Sequence, residues 1–172
     1  MPPAWHPLRF DRLPADAYLS LNFSPGVLND LGRVDLDGLA ADVPLGRIVL
    51  EVTEEAPIDD YARLGDALSD IRGRGARLAI DDVGAGFASM RHIVQLRPDI
   101  IKLDITLVRD IDTDPSRRAL AASIAQFGIQ TGASVVAEGI ETAAELATLI
   151  ELGIPYGQGY LLGKPNAAPW GD

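Results

Sequence analysis

Residues 77–86 read Arg-Leu-Ala-Ile-Asp-Asp-Val-Gly-Ala-Gly. A compact apolar run, Arg77 to Ile80, stops abruptly at two adjacent carboxylates, and a glycine-rich loop follows. An apolar run this short and unbroken fits a strand buried on both faces, as in a parallel sheet covered by helices. Asp81 and Asp82 then fall at the strand's carboxyl end. The Gly84-Ala85-Gly86 loop permits close backbone approach there, although alone it carries little information.

The same grammar repeats on either side. Apolar runs occur at Ala17–Leu21, Arg47–Leu50, Asp99–Leu103, Ser134–Ala137 and Gly157–Leu162. The last of these holds the fewest apolar residues. Helical stretches separate them. Tyr61, Leu64, Leu68 and Ile71 recur at helical spacing, with Gly73 and Gly75 as stops. Asp114-Pro115 is a cap and first-turn pair, ahead of Leu120, Ile124 and Phe127. Thr142 and Glu145 have capping-box spacing before Leu146, Leu149 and Ile150, and Gly153 closes that helix. The helical signal is short between Gly86 and Leu96 and poor between Asn22 and Glu51. Alternating strands and helices predict an α/β domain with a parallel sheet. No linker, low-complexity tract or repeat divides the chain, so one domain is expected.

Composition narrows the chemistry. With 47% hydrophobic and 23% charged residues, the chain is built to fold. No apolar stretch is long enough to span a bilayer. The opening Met-Pro-Pro-Ala-Trp-His-Pro lacks the apolar core of a signal peptide, and cysteine is absent, so the cytoplasm is the expected compartment and thiolate chemistry is excluded. A formal net charge of −10 opposes duplex nucleic acid, whose binding rests on basic contacts to phosphate. A small phosphate ligand remains compatible, provided a lysine or a bound metal supplies local positive charge.

Each apolar run carries a polar group at or near its end: Asn22, Glu51, Asp81 with Asp82, Lys102 with Asp104 two residues on, Glu138 and Gln158. In a parallel sheet with returning helices these ends share one side, and in a β/α barrel that side is the catalytic face. Asn, Asp and Glu are hard oxygen donors suited to Mg²⁺ or Mn²⁺. His6 and His92 have no zinc-binding spacing. Crowded carboxylates must take up protons or cations, and Asp81-Asp82 could serve two metals about 3.5–4 Å apart, which clamp a phosphoryl group for attack by water. Taken singly, each group has a structural reading: a strand-end acid caps the next helix, Lys102 is salt-bridged, and Asn22 before Ser24-Pro25 is a turn residue. Tyr160 and Leu161 read as core, and Asp110 to Arg118 as a solvated loop. Six consecutive strand ends with apt groups exceed what capping requires.

The chain resembles the EAL domain, the phosphodiesterase of bacterial cyclic di-GMP second-messenger signalling. The resemblance is carried in series by Leu-Asn-Phe-Ser-Pro at 21–25, Leu-Glu-Val-Thr-Glu at 50–54, Asp-Asp-Val-Gly-Ala-Gly at 81–86, Lys-Leu-Asp at 102–104, Ala-Glu-Gly-Ile-Glu-Thr at 137–142 and Gln-Gly-Tyr-Leu-Leu-Gly-Lys-Pro at 158–165. It implies a TIM-type β/α barrel holding two Mg²⁺ or Mn²⁺ ions. Asn22, Glu51 and Asp81 would hold the first, and Asp81 with Asp82 the second. Lys102 would position the attacking water, Glu138 would act beside it, and Gln158, Glu141 and Asp104 would support the site or the substrate. Glu54 would anchor the loop after the paired aspartates, which in the family couples dimerisation to metal binding. The implied product is the linear dinucleotide pGpG. A homodimer is expected, as is a regulatory sensor domain in a longer parent protein.

Two departures accompany the resemblance. Val83 stands where the family usually has Phe. The family's Glu-Ala-Leu strand would lie well upstream of Asn22, and no Glu-x-Leu precedes Asn22 here. Such barrels have roughly 250 residues and eight strands. The expectation is therefore an incomplete barrel with about six of the eight strands: a lead-in at 1–16, a partial EAL domain at 17–165 and a tail at 166–172. Two function classes stay open: a metal-dependent cyclic di-GMP phosphodiesterase, and a catalytically inactive module that binds cyclic di-GMP or a protein partner. Another metal-dependent barrel enzyme fits the composition but not the serial motifs.

Overall fold

The computed structural model describes residues 14, 17–23, 44–53, 58–84 and 89–165. Glu54, the 166–172 tail and all of the 1–16 lead-in except Pro14 lie outside these residues, as do His6 and the Ala85-Gly86 part of the glycine loop.

Six strands form one wholly parallel sheet in sequence order: β1 Leu19–Asn22, β2 Ile48–Thr53, β3 Arg77–Val83, β4 Ile100–Leu103, β5 Ser134–Ala137 and β6 Tyr156–Gly157. Helices return the chain: α1 Tyr61–Gly73, α2 Ser89–Leu96, α3 Ile105–Val108, α4 Pro115–Thr131 and α5 Ala143–Glu151, with a 3₁₀ turn at Leu45–Arg47. Among the described residues β1 and β6 are the sheet's edges and do not pair with each other.

The period of two along each strand sorts side chains into two sets. Ile48, Leu50, Val52, Leu78, Ile80, Ile101, Leu103, Val135 and Ala137 join the main core, together with Leu64, Leu68 and Ile71 of α1 and Ile93 of α2. Val49, Ala79, Ile100 and Val136 form a small separate cluster. Two residues further along each of these four strands stand Glu51, Asp81, Lys102 and Glu138. Alternation places them on the face turned away from the main core, one step nearer the strands' carboxyl ends. The apolar layer beneath is thus the floor of the charged one.

The caps expected from the sequence at α4 and α5 are formed, and α1 carries one that the sequence did not single out. The Asp60 carboxylate starts α1 by accepting from the Arg63 N–H at 3.0 Å. Asp114 accepts from the Ser116 and Arg117 N–H groups at 2.8 and 3.2 Å, with Pro115 in the first turn of α4. At α5, Thr142 and Glu145 make the reciprocal capping box.

Several local expectations need correction. The sixth strand is only Tyr156–Gly157, and residues 159–162 are bends and turns. Tyr160 and Leu161 are 63% and 42% exposed, not core. The buried face of α4 is Ala121, Ile124, Ala125 and Gly128, so Leu120 lies outside it. Ile150 on α5 is likewise exposed. The charged run from Asp110 is largely exposed as expected, but only its first part is a turn; from Pro115 it is the first turn of α4, where Arg117 pairs with Asp114 at 3.4 Å.

One cap is unusual. α2 ends at Leu96, and Arg97 takes the left-handed conformation with φ 46°, donating its N–H to the Ile93 carbonyl at 3.0 Å. Glycine normally fills this position. A non-glycine residue there costs on the order of 1–3 kcal/mol, while a cation at a helix C-terminus returns about 0.3–1 kcal/mol. Capping alone does not account for arginine.

Candidate active site

β3 pairs regularly with β4 through Ile80 opposite Ile101, yet Val83 faces Leu103. One extra residue is therefore inserted across Asp81-Asp82, a β-bulge. Asp82 absorbs it with φ 57°, a conformation that aspartate tolerates better than most residues. In a regular strand, consecutive side chains point to opposite faces. The bulge re-aims one of them, as bulges at barrel rims do. As a result Asp81, Asp82 and Glu138 each bring a carboxylate oxygen within 4.8 Å of the others.

Lys102 sits in the middle of this charge. Its Nζ lies 2.8 Å from Glu138 Oε1, 2.9 Å from Asp81 Oδ1 and 3.3 Å from Glu51 Oε2. The lysine side chain is 13% exposed and the three carboxylates are similarly covered. Gln158 Nε2 donates to Glu138 Oε1 at 2.9 Å, and Asp81 Oδ1 also accepts from the Asp82 N–H at 3.0 Å. Asn22 lies directly opposite Glu51 in the β1–β2 register. The structure thus brings Asn22, Glu51, Asp81, Asp82, Lys102, Glu138 and Gln158 to one rim.

Burial pulls the Lys102 ammonium down, but the hydrogen bonds and charges of Glu138 and Asp81 outweigh it and hold the group above the ordinary lysine value. Glu138 is also pushed up. Burial is the main cause, opposed by Lys102 and reinforced by the charges of Asp81 and Glu51. The Lys102 shift expresses the carboxylates paired with it, whereas that of Glu138 expresses burial first and the charges of Asp81 and Glu51 second.

The other expected residues are placed differently. Asp104 spends its carboxylate on the N-cap of α3, accepting from the Thr106 N–H at 2.8 Å. Glu141 is exposed and pairs with Arg109 at 3.3 Å. It borders a cavity of about 520 Å³ that begins beside Gln158 and is walled by Ile105, Gly139, Gly159 and Tyr160. Gly139 is left-handed at φ 70°, and a Cβ there would sit 2.4 Å from Ile105 Cγ1, so a side chain would displace Ile105, which also lines the cavity. His92 is buried on α2 and hydrogen-bonds the Tyr61 hydroxyl at 2.8 Å, away from the rim.

The sequence reading missed Glu145 beyond its capping box. It is 3% exposed, and its carboxylate accepts from the N–H groups of Thr142, Glu141 and Asp110 at 2.9, 3.0 and 3.1 Å. The bond to Asp110 crosses 35 residues and has no local signal.

A family model for the EAL domain matches residues 6–165. The chain belongs to the EAL domain family. It is 37% identical over 119 residues to the probable cyclic di-GMP phosphodiesterase PdeA of Escherichia coli, covering 69% of this chain and 16% of that protein. Klebsiella pneumoniae BlrP1, solved as a manganese and cyclic di-GMP complex, superposes with a TM-score of 0.74 at 36% identity, over 84% of this chain and 38% of that one. The EAL domain of Mycobacterium smegmatis DcpA gives a TM-score of 0.76 at 28% identity, over 86% and 68% of the two chains. The chain thus spans a minor part of the first two proteins and about two thirds of the isolated EAL domain. EAL domains are TIM-type barrels, and the six parallel strands here are the corresponding part of one, not closed among the described residues.

Proposed function

We propose that this EAL chain hydrolyses cyclic di-GMP to linear pGpG with the help of two divalent cations, Mg²⁺ or Mn²⁺. The observation that carries this reading is the bulge at Asp81-Asp82, which gathers two consecutive carboxylates with Glu138 beside Lys102. The donor set fits the metals: oxygen ligands only, and more negative charge than one lysine offsets. Asn22, Glu51 and Asp81 would hold one ion, and Asp81 with Asp82 the other. When bound, such ions offset the charge of a phosphodiester and make water more acidic.

Lys102 orients Glu51, Asp81 and Glu138 through its three close contacts and brings positive charge toward the phosphate. Glu138, already harder to ionise because of burial, takes the proton of the attacking water at its carboxylate as the water oxygen bonds to phosphorus and the ester oxygen leaves. Gln158 fixes the orientation of Glu138. Glu141 borders the flank from which the nucleotide enters, and Asp104 supports that flank from the N-cap of α3. Glu54, outside the described residues, would have the anchoring role that the family resemblance implies. The catalytic unit is residues 17–165, flanked by 1–16 and 166–172, and it works in the cytoplasm as a homodimer, downstream of a sensor domain in a longer parent protein. No helix among the described residues is long and apolar enough to cross a membrane.

The test is turnover of cyclic di-GMP with saturating Mn²⁺ or Mg²⁺. Lys102→Ala is expected to lower kcat by about 10²–10³, the usual cost of removing one group that stabilises transition-state charge. Turnover no higher than that of the Lys102→Ala control would overturn the proposal. Thermal stabilisation by cyclic di-GMP without turnover would instead identify a binding module.

A further inference from the structure

The strained Arg97 has a use that the helix cap does not supply. Its position after Leu96 calls for glycine or asparagine, and the following Pro98 disfavours a helical or left-handed predecessor further. Strain maintained at such a position points toward function. Arg97 lines a cleft of about 550 Å³ together with Ile93, Val94, Pro98, Phe127 and Arg72. This cleft lies at the amino end of β4, the end of the sheet opposite the carboxylate rim.

The two arginines differ. Arg72 is matched: its guanidinium pairs with Asp99 Oδ1 at 2.8 Å, and Asp99 Oδ2 accepts from the Leu78 N–H at 2.8 Å. Each oxygen of Asp99 thereby has a partner. No carboxylate of the described residues lies within ion-pairing distance of Arg97. The apolar part of the wall is Ile93, Val94, Pro98 and Phe127, and Asp99, already paired with Arg72, lies in the same lining with Thr131 and Gly132. Ile93 and Pro98 are buried, whereas Val94 stands 57% exposed. The volume falls in the range of small-molecule sites, which combine apolar walls with a few polar anchors.

The geometry points to this cleft as a binding site for amphipathic carboxylates, molecules with one carboxylate on an apolar body. The carboxylate pairs with the Arg97 guanidinium, and the apolar body covers Val94 and Phe127. On a protein of net charge −10, an anion needs such a local cation to bind. A neutral ligand of the same shape gains only the apolar contact.

Octanoate is the probe and octanol its neutral comparator, both titrated into the full chain by calorimetry. Octanoate is expected to bind about tenfold more tightly than octanol, the scale of one charge-assisted hydrogen bond. Arg97→Gly removes the guanidinium and relieves the left-handed strain, so its unfolding midpoint should equal or exceed that of the wild type while octanoate affinity falls about tenfold. A well-folded Arg97→Gly protein with unchanged affinity would overturn the assignment. So would equal binding of octanoate and octanol, or no heat and no midpoint shift at millimolar octanoate. None of these readouts involves hydrolysis, so their failure is distinct from failure of the phosphodiesterase reading.

Discussion

At the carboxyl end of the strands, Glu51, Asp81, Asp82 and Glu138 crowd a single ammonium. At the amino end of the same strands, Arg72 and Asp99 meet one to one. Arg47 there donates to the backbone carbonyls of Ala17 and Pro14, and Arg77 stacks over Tyr18 at 4.8 Å. The difference teaches how to separate structure from function in one sheet. Balanced charges with saturated hydrogen bonds stitch neighbouring strands together. Unbalanced charges on an ordered floor mark a place that expects something more. Arg97 is the exception that marks the amino end in the same way.

Perturbing the two ends should therefore have different consequences. The largest effect belongs to Lys102→Ala, whose turnover loss is set out above. Next comes Gly159→Ala. A Cβ there would lie 2.2 Å from the backbone N and O of Ile140, and Ile140 N–H is bonded to the Gln158 carbonyl. The backbone must shift, which moves Gln158 off Glu138. The expected cost is about 3 kcal/mol, the upper end of ordinary point mutations, with turnover falling beyond what the loss of folded protein explains. Urea midpoints measured beside kcat on the folded fraction test this. Unchanged kcat would remove Gln158 from the site.

Asp99→Ala is the counterpart at the amino end. It leaves Arg72 and the Leu78 N–H without their carboxylate, which should cost about 2 kcal/mol. Turnover of the folded protein should stay within about twofold, because mutations at separate sites act nearly independently. A loss of kcat as large as that of Gly159→Ala would break the division between the two ends.

What was legible in the sequence follows the same division. The polar positions were readable because each breaks an apolar run, although β2 and β3 continue beyond theirs to Thr53 and Val83. β5 is Ser134–Ala137 as the sequence suggested, and Glu51, Asp81, Lys102 and Glu138 were found because each interrupts or closes its run. β6 was overextended because Tyr160, Leu161 and Leu162 look apolar, yet the chain turns at Gly159 and exposes them. The bulge was invisible. Two adjacent aspartates do not announce which of them takes a positive φ, and without the bulge they would face opposite ways. Pairing was equally hidden: residue spacing says that Lys102 reaches the rim, not that it touches three carboxylates. Arg97 gave no signal, because a left-handed arginine before proline runs against local preference and only the folded backbone reveals it.

Glu145 shows how a local motif can conceal a long-range one, and it yields the smallest expected effect. Its capping box was readable from Thr142-x-x-Glu145. The third bond, from the Asp110 N–H, ties α5 to the left-handed turn after α3 and so braces the loop that carries Glu141. Burial pushes this carboxyl upward, but the N–H groups of Glu141, Thr142 and Asp110 outweigh it, and the group sits below its ordinary value of 4.5. A carboxyl lowered by folding contributes stability that is fully present above its unfolded value and is lost as pH falls through its folded value. Glu145→Gln, which keeps one acceptor oxygen but loses the charge, should therefore cost about 1–2 kcal/mol near pH 7. Wild type and variant should differ by a constant amount down to about pH 5 and converge below pH 4.5. Urea midpoints measured across that range decide the point. A gap that stays constant at pH 3 would mean that shape holds this corner together and the charge does not.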